Sequence, residues 1–103
     1  MYLNEAEKND IKHELVEQLQ QEKEIKRIVV FGSFLNSDNP NDIDIAIFQT
    51  TSEKYLPLAL KYRGLLDRLA SRISLDILPL KFGNQNGYFM DEINSGEVLY
   101  EKC

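Results

Sequence analysis

The sequence contains one cysteine and one histidine among its 103 residues, and both scarcities exclude kinds of chemistry. The cysteine, Cys103, stands at the end of the sequence, so we expect no internal disulfide, and a reducing compartment is compatible with the chain. With His13 as the single histidine, a Ser-His-Asp or Cys-His arrangement for nucleophilic catalysis has too few parts.

Long apolar runs and basic charge are also scarce. No apolar run approaches the length that spans a bilayer, and the first ten residues, MYLNEAEKND, are acidic and polar. We therefore expect a cytoplasmic protein with no membrane partner. Twelve Lys and Arg against 17 Asp and Glu give a net charge of -5. This balance argues against direct binding of nucleic acid, which requires a dense basic surface, and suits a metal ion or a cationic partner better.

What is present favours one folded domain that covers residues 1–103. Apolar residues make up 43% and charged residues 28% of the sequence, as in an ordinary globular protein. The length suffices for one modest core but not for separate substrate and cofactor domains. Elaborate substrate recognition would therefore have to come from a partner.

Hydrophobic periodicity predicts a small α/β or α+β domain in which helices flank a mixed sheet. A capping pattern, Asn4 followed by Glu7, opens the first helix, and Pro79 indicates that the third strand lies at an edge or soon leaves the sheet. The predicted elements in order are a helix from Asn4 to about Glu24, a strand from Arg27 to Gly32, a strand from Asp42 to Phe48, a helix from Glu53 to Arg72, a strand from Ser74 to Leu80, a short helix within Tyr88 to Gly96, and a tail, Glu97 to Glu101, that is extended or helical.

Two carboxylates interrupt the second predicted strand, DIDIAIF. Side chains alternate along a strand, so Asp42 and Asp44 share one face close together. Ionised neighbours at that spacing repel each other unless a cation lies between them or one is protonated. A strand start at which both acids are simply hydrated is the alternative interpretation.

Asp76 is the one charged residue of SLDILPL, Ser74 to Leu80. A buried carboxylate in such company requires a partner, whereas an edge-strand acid that faces water does not. If this strand lies beside the second, Asp76 completes a set of three acids with Asp42 and Asp44. Three such oxygen donors on a rigid sheet suit Mg²⁺, and two Mg²⁺ ions can clamp the attacking and leaving oxygens of a phosphoryl transfer.

Gly32 and Ser33 follow the first strand directly. Glycine lets the backbone approach a ligand, and Ser33 can cap a short helix whose N–H groups attract phosphate. A Gly-Ser pair is more often only a turn. Its position before Asp42 and Asp44 makes a site for a nucleoside triphosphate and metal the functional interpretation.

The Gly-Ser pair, the following DID and a third Asp on a later strand resemble the polymerase-beta-type nucleotidyltransferases. The small size, LLDRLASRISLDILPL and the ending FMDEINSGEVLYE resemble the minimal nucleotidyltransferase subgroup of that family. The resemblance implies a polymerase-beta-like fold and Mg²⁺-dependent transfer of AMP from ATP to a hydroxyl. It also implies that Gly32 and Ser33 hold the triphosphate, that Asp42 and Asp44 bind both metals, and that Asp76 binds the catalytic metal and helps to deprotonate the acceptor.

Members of this subgroup commonly act as antitoxins beside a HEPN-domain ribonuclease toxin, and attach AMP to a tyrosine of the toxin. The resemblance thus implies such a partner here. Where many relatives carry an arginine and a glycine after the Gly-Ser pair, this chain has Phe34, Leu35 and Asn36. That departure keeps a second hypothesis open, a catalytically silent antitoxin that neutralises its partner by binding. Transfer to a small molecule is a third, although it usually requires an additional domain.

Overall fold

The computed structural model of the chain describes residues 2–83 and 90–102. These residues form a four-stranded sheet with helices packed on it. The elements in chain order are α1 (Glu5–Leu19), β1 (Ile25–Phe31), α2 (Ser33–Asn36), β2 (Ile43–Gln49), α3 (Tyr55–Leu65), α4 (Asp67–Ala70), β3 (Leu75–Lys81), α5 (Met90–Asn94) and β4 (Glu97–Glu101).

The sheet is mixed, with the strand order β3-β2-β1-β4. β1 pairs antiparallel with both β2 and β4, whereas β2 pairs parallel with β3. A parallel pair requires a long crossover, which α3 and α4 supply. The predicted α+β class and mixed sheet are confirmed, and β3, which contains Pro79, is an edge strand as that proline indicated.

The first helix begins as its sequence predicts. The Asn4 side chain accepts a hydrogen bond from the Glu7 N–H at 2.8 Å, and the Glu7 carboxylate accepts one from the Asn4 N–H at 3.0 Å, which completes a capping box. The helix ends at Leu19, earlier than the predicted Glu24, because two turns bring the chain round to Ile25, a fully buried residue that opens β1.

The prediction of one continuous helix from Glu53 to Arg72 is wrong, because the structure has two helices, α3 and α4, in this segment. Leu66 has φ -103° and ψ 16°, outside the helical region, and separates α3 from α4. Gly64 lies next to this break and weakens the helix. Because of the bend, Leu66 and Leu69 both point into the core, where each is about 1% exposed.

The two faces of β2 enter different parts of the core. Ile43, Ile45 and Ile47 lie in the larger cluster with α1 and α3. Ala46 and Phe48 lie in a smaller cluster on the other face, which the helix α5 covers. Strand alternation places Asp44 on this second face, at the end where the apolar cover stops.

The C-terminal region is partly described. The predicted short helix is confirmed over Met90–Asn94, and the tail, predicted to be extended or helical, is a strand, β4. Tyr88, at which the segment predicted to contain that helix begins, lies outside the described residues. Within residues 2–83 and 90–102, the longest helices fall short of the length and hydropathy that a bilayer crossing demands.

Candidate functional site

Asp44 and Asp76 occupy the same level of the adjacent parallel strands β2 and β3. On the other side of β2, Asp44 pairs with Phe31, the last residue of β1. The pairing of β2 with β3 therefore brings together two of the three predicted acids. Asp42 lies just before β2 and is exposed at its approach.

The burial of Asp76 differs from the sequence interpretation. Its side chain is exposed on the edge strand, while Leu75 and Ile77 on either side point into the core. The free-energy cost of burying a carboxylate therefore gives no reason to expect a partner for Asp76. What distinguishes Asp76 is its position beside Asp44, where two carboxyl groups meet at one level of the sheet.

The electrostatics of Asp44 reflect this crowding. Partial burial is the largest cause that raises its pKa, from 3.8 to about 6. The negative charge of Asp76 and a side-chain hydrogen bond with it also contribute to this rise, as do the charges of Asp42 and Glu92. Asp44 is therefore harder to ionise than an ordinary aspartate, and a cation that offsets the surrounding negative charge would favour its ionised form.

Gly32 determines how closely β1 approaches this pair of acids. Its φ is +77°, in the left-handed region that favours glycine. A Cβ built at this position would overlap Oδ2 of Asp44 and lie 3.4 Å from its Cγ. Glycine at this position thus serves both the backbone turn and the space that the Asp44 carboxylate occupies.

Ser33 does not cap α2, contrary to the sequence prediction. It is the first residue of that helix, and the capping position belongs to Gly32, which has no side chain. The Ser33 carbonyl accepts a hydrogen bond from the Ser37 N–H at 2.9 Å, which closes the single turn of helix. The Ser33 side chain is partly exposed next to the Gly32 turn.

A cavity of about 280 Å³ opens in front of the acids. Asp44 and Asp76 form part of its wall together with Glu92 of α5, a residue that the sequence analysis did not single out. The lining residues are Phe31, Gly32, Asp44, Asp76, Leu78 and Glu92. Glu92 reaches the site only because α5 packs on the second face of the sheet, so no local pattern could have found it.

The donor set is suited to a hard cation. In the part of the chain that the structure describes, no three His, Cys, Asp or Glu side chains are grouped as a metal site. Asp44 and Asp76 form a pair instead, and Mg²⁺ in phosphoryl-transfer sites is commonly held by one or two carboxylates with the substrate phosphates and water completing its shell. The carboxylate oxygens and the raised pKa of Asp44 fit such an ion.

The sheet topology and the acids at the start of β2 and β3 define a nucleotidyltransferase-like domain. The sequence model of the family described as Polymerase beta, Nucleotidyltransferase matches residues 13–103. The chain therefore belongs to the polymerase beta nucleotidyltransferase family, and the predicted resemblance to the polymerase-beta-type nucleotidyltransferases is confirmed. No curated protein matches the sequence.

Solved structures of similar fold come from toxin-antitoxin complexes. A crystal structure of the toxin-antitoxin with AMP-PNP matches with a TM-score of 0.66 and 20% identity, over 88% of this chain and 73% of that chain. The toxin-antitoxin MntA-HepT matches with a TM-score of 0.64 and 15% identity, over 91% of this chain and 73% of that chain. The tri-AMPylated Shewanella oneidensis HEPN toxin in complex with MNT antitoxin matches with a TM-score of 0.61 and 19% identity, over 92% of this chain and 73% of that chain. These identities establish the shared fold.

Proposed function

We propose that this protein transfers AMP from ATP to a tyrosine hydroxyl of a partner HEPN-type ribonuclease toxin and so acts as its antitoxin. The observation that carries the proposal is the pair Asp44 and Asp76, side by side on β2 and β3 and in front of the Gly32 turn, in a chain of the polymerase beta nucleotidyltransferase family. The cavity they line leaves room for the reacting phosphate.

The residues take the following roles in the proposal. Gly32 and Ser33 hold the triphosphate through the turn after β1. Asp42 and Asp44 bind two Mg²⁺ ions, and Asp76 binds the catalytic one of the two. When bound, Mg²⁺ stabilises the charge that develops on the transferring phosphoryl group. Cation binding also relieves the repulsion that raises the pKa of Asp44.

The reaction is a displacement at the α-phosphorus of ATP. The acceptor oxygen forms a new P–O bond, and the bond from the α-phosphorus to the bridging oxygen breaks, so that pyrophosphate leaves with that electron pair. The hydroxyl proton passes to a carboxylate near the attacking oxygen. Asp76 is the residue proposed to accept this proton, because it is exposed at the edge of the sheet where an acceptor can approach.

The choice of a protein acceptor rests on size and on the structural comparisons. A domain the size of these 103 residues has little room for an acceptor site, so in this proposal a partner supplies most of it. Structures of similar fold belong to toxin-antitoxin complexes, and one of them contains a tri-AMPylated HEPN toxin. These likenesses support the class of partner.

The direct test is an AMP-transfer assay with ATP labelled on the α-phosphate, Mg²⁺ and the purified product of the neighbouring gene. The partner should become labelled, and Asp44→Asn should abolish labelling. Asp38→Asn is the matched control, since Asp38 is an exposed loop acid whose backbone carbonyl, bonded to the Leu3 N–H, is retained. Labelling that persists in Asp44→Asn would contradict the mechanism.

A catalytically silent binding antitoxin is the second candidate. Residues 34–41, FLNSDNPN, contain no Arg or Lys between the Gly-Ser pair and Asp42, so this loop offers no bidentate phosphate ligand. On this hypothesis, Asp44→Asn protein neutralises the partner as fully as the unaltered protein does. On the enzymatic hypothesis, Asp44→Asn protein still forms the complex, but the toxin is unmodified and regains its activity once the complex dissociates.

A further inference from the structure

Lys8 of α1 is an unusual residue for its position. It is 7% exposed, and it is the only buried residue with a formal charge in the part of the chain that the structure describes. Its place in the helix lies on the apolar stripe formed by Ile11, Leu15 and Leu19. Burying an ammonium group costs free energy unless it is hydrogen-bonded, so the contacts of Lys8 indicate its structural role.

Those contacts lie on the loop between β1 and β2. The Lys8 Nζ donates a hydrogen bond to the carbonyl of Ser37 at 2.7 Å, across 29 residues of sequence. The same nitrogen lies 5.6 Å from the centre of the Phe34 ring, which is fully buried. A cation-π contact and a charge-assisted hydrogen bond thus join α1 to Phe34 within α2 and to Ser37 directly after it.

A second hydrogen bond strengthens the same junction. The Leu3 N–H donates to the Asp38 carbonyl at 2.7 Å, one residue beyond the Lys8 contact. Within the turn, the Leu35 N–H donates to the Gly32 carbonyl at 3.1 Å and the Ser37 N–H to the Ser33 carbonyl at 2.9 Å. The start of the chain therefore holds one end of a single helical turn whose other end is Gly32 and Ser33.

We propose that Lys8 is a positioning residue for nucleotide binding, which fixes the Gly32–Ser37 turn through the Ser37 carbonyl and the Phe34 ring. This inference rests on the proposed function, because it takes Gly32 and Ser33 as the groups that hold the triphosphate. Lys8 acts through the turn and not by contact with phosphate, since its Nζ is engaged with Ser37 under the loop. Because the turn is already ordered before the nucleotide binds, the entropic cost of ordering it does not reduce the binding affinity.

The test compares nucleotide affinity in three variants. Lys8→Met keeps a long apolar stem against Phe34 but removes the charge and the donor, so the Kd for a fluorescent ATP analogue with Mg²⁺ should rise about tenfold. Lys8→Arg, which keeps both, should restore most of that affinity. Lys12→Met is the matched control, because it removes the same charge from α1 at a residue that pairs with Glu97 on β4.

Hydrogen exchange separates this inference from the proposed function. In Lys8→Met the amides of Leu35 and Ser37 should exchange about tenfold faster, while Lys12→Met leaves them unchanged. Unchanged exchange and unchanged affinity in Lys8→Met would overturn the role of Lys8. If the unaltered protein binds no nucleotide, the proposed function fails, and the two amides still decide whether Lys8 fixes the turn. If Lys8→Met unfolds globally, Lys8→Arg provides the test instead. Its Leu35 and Ser37 amides then have to exchange at the rates of the unaltered protein.

Discussion

Gly32 leaves the space in which the carboxylate of Asp44 lies: a Cβ at residue 32 would overlap Oδ2 of Asp44. The atom in the way is the end of a side chain that can rotate, so Gly32→Ala should displace the carboxylate more readily than it disrupts the fold. We expect AMP transfer to be lost, while the free energy of unfolding falls by about 1–3 kcal/mol, because φ +77° and ψ -150° form a backbone conformation that is almost restricted to glycine.

Gly83→Ala is the control for that prediction. Gly83 also has a positive φ, +91°, but an added Cβ there meets no described atom within 4 Å. Chemical denaturation should therefore show a loss of stability in both variants from the positive φ, and an AMP-transfer assay should give activity only for Gly83→Ala. Retained transfer in Gly32→Ala would show that the position of the Asp44 carboxylate tolerates change.

The raised pKa of Asp44 predicts a dependence of stability on pH. Because the folded state holds the Asp44 proton up to about pH 6 and the unfolded state loses it near 3.8, the folded protein binds more protons between these values. The contribution of Asp44 to stability is therefore fully present below about pH 4 and is lost as the pH rises through 6. Thermal unfolding from pH 4 to 8 should show this decline in the unaltered protein and a smaller one in Asp44→Asn, with Asp38→Asn unchanged.

Mg²⁺ should reverse that loss. At pH 8, with Mg²⁺ at ten times its Kd, mass action adds about 1.4 kcal/mol to the stability of a protein that binds it only when folded. We expect the corresponding rise in Tm for the unaltered protein and none for Asp44→Asn. A Tm that responds equally to Mg²⁺ in both proteins would place the cation elsewhere.

Glu92 contributes negative charge to the cavity beside Asp44. Glu92→Gln should lower the pKa of Asp44 from about 6, because one of the charges that oppose its ionisation is removed. Asp91→Asn makes the same charge change on the same helix at a residue outside the cavity lining. NMR titration of the Asp44 carboxyl carbon measures both; a shift of the same size in the two variants would mean that the net charge of α5, and not the position of Glu92 in the cavity wall, governs the effect.

A second polar network lies at the far end of the sheet. Tyr62, fully buried, donates its hydroxyl to Glu24 at 3.0 Å, and Lys61 forms ion pairs with Glu22 and Glu24 at 2.9 and 3.0 Å. Burial alone would raise the pKa of Glu24, but the hydrogen bonds from Lys61 and Tyr62 outweigh it and lower the pKa. The stability from Glu24 is therefore present above its ordinary pKa and is lost as the pH falls through the lower folded value.

Tyr62→Phe tests this network. The variant keeps the ring in the core and removes one hydrogen bond, so unfolding should become easier by about 1 kcal/mol at pH 7. Urea denaturation at pH 7 and at a series of values below 4.5 should show this difference shrink as the pH falls through the lowered pKa and Glu24 becomes protonated. Tyr100→Phe, which alters a half-buried tyrosine on β4, is the control for loss of a hydroxyl.

Much of the candidate site could be predicted because its signals are local. The alternation of DIDIAIF placed Asp42 and Asp44 on one face of a strand, and the structure confirms that the isoleucines take the other. The capping box and the edge position of Pro79 are likewise consequences of neighbouring residues. Local rules failed at Ser33 and at Leu66, where the packing of α2 and of the α3-α4 bend decided the backbone.

The sequence by itself determined which residues bear the chemistry and the type of element on which most of them lie, since side-chain periodicity depends only on the backbone geometry of a helix or strand. Only the tertiary structure decided which of them meet. The parallel register of β2 and β3 set Asp44 beside Asp76, the approach of β1 placed Gly32 against Asp44, and the packing of α5 brought in Glu92. These contacts join segments far apart in the chain, and the pairing of such segments is settled by the burial of the whole core rather than by any short pattern.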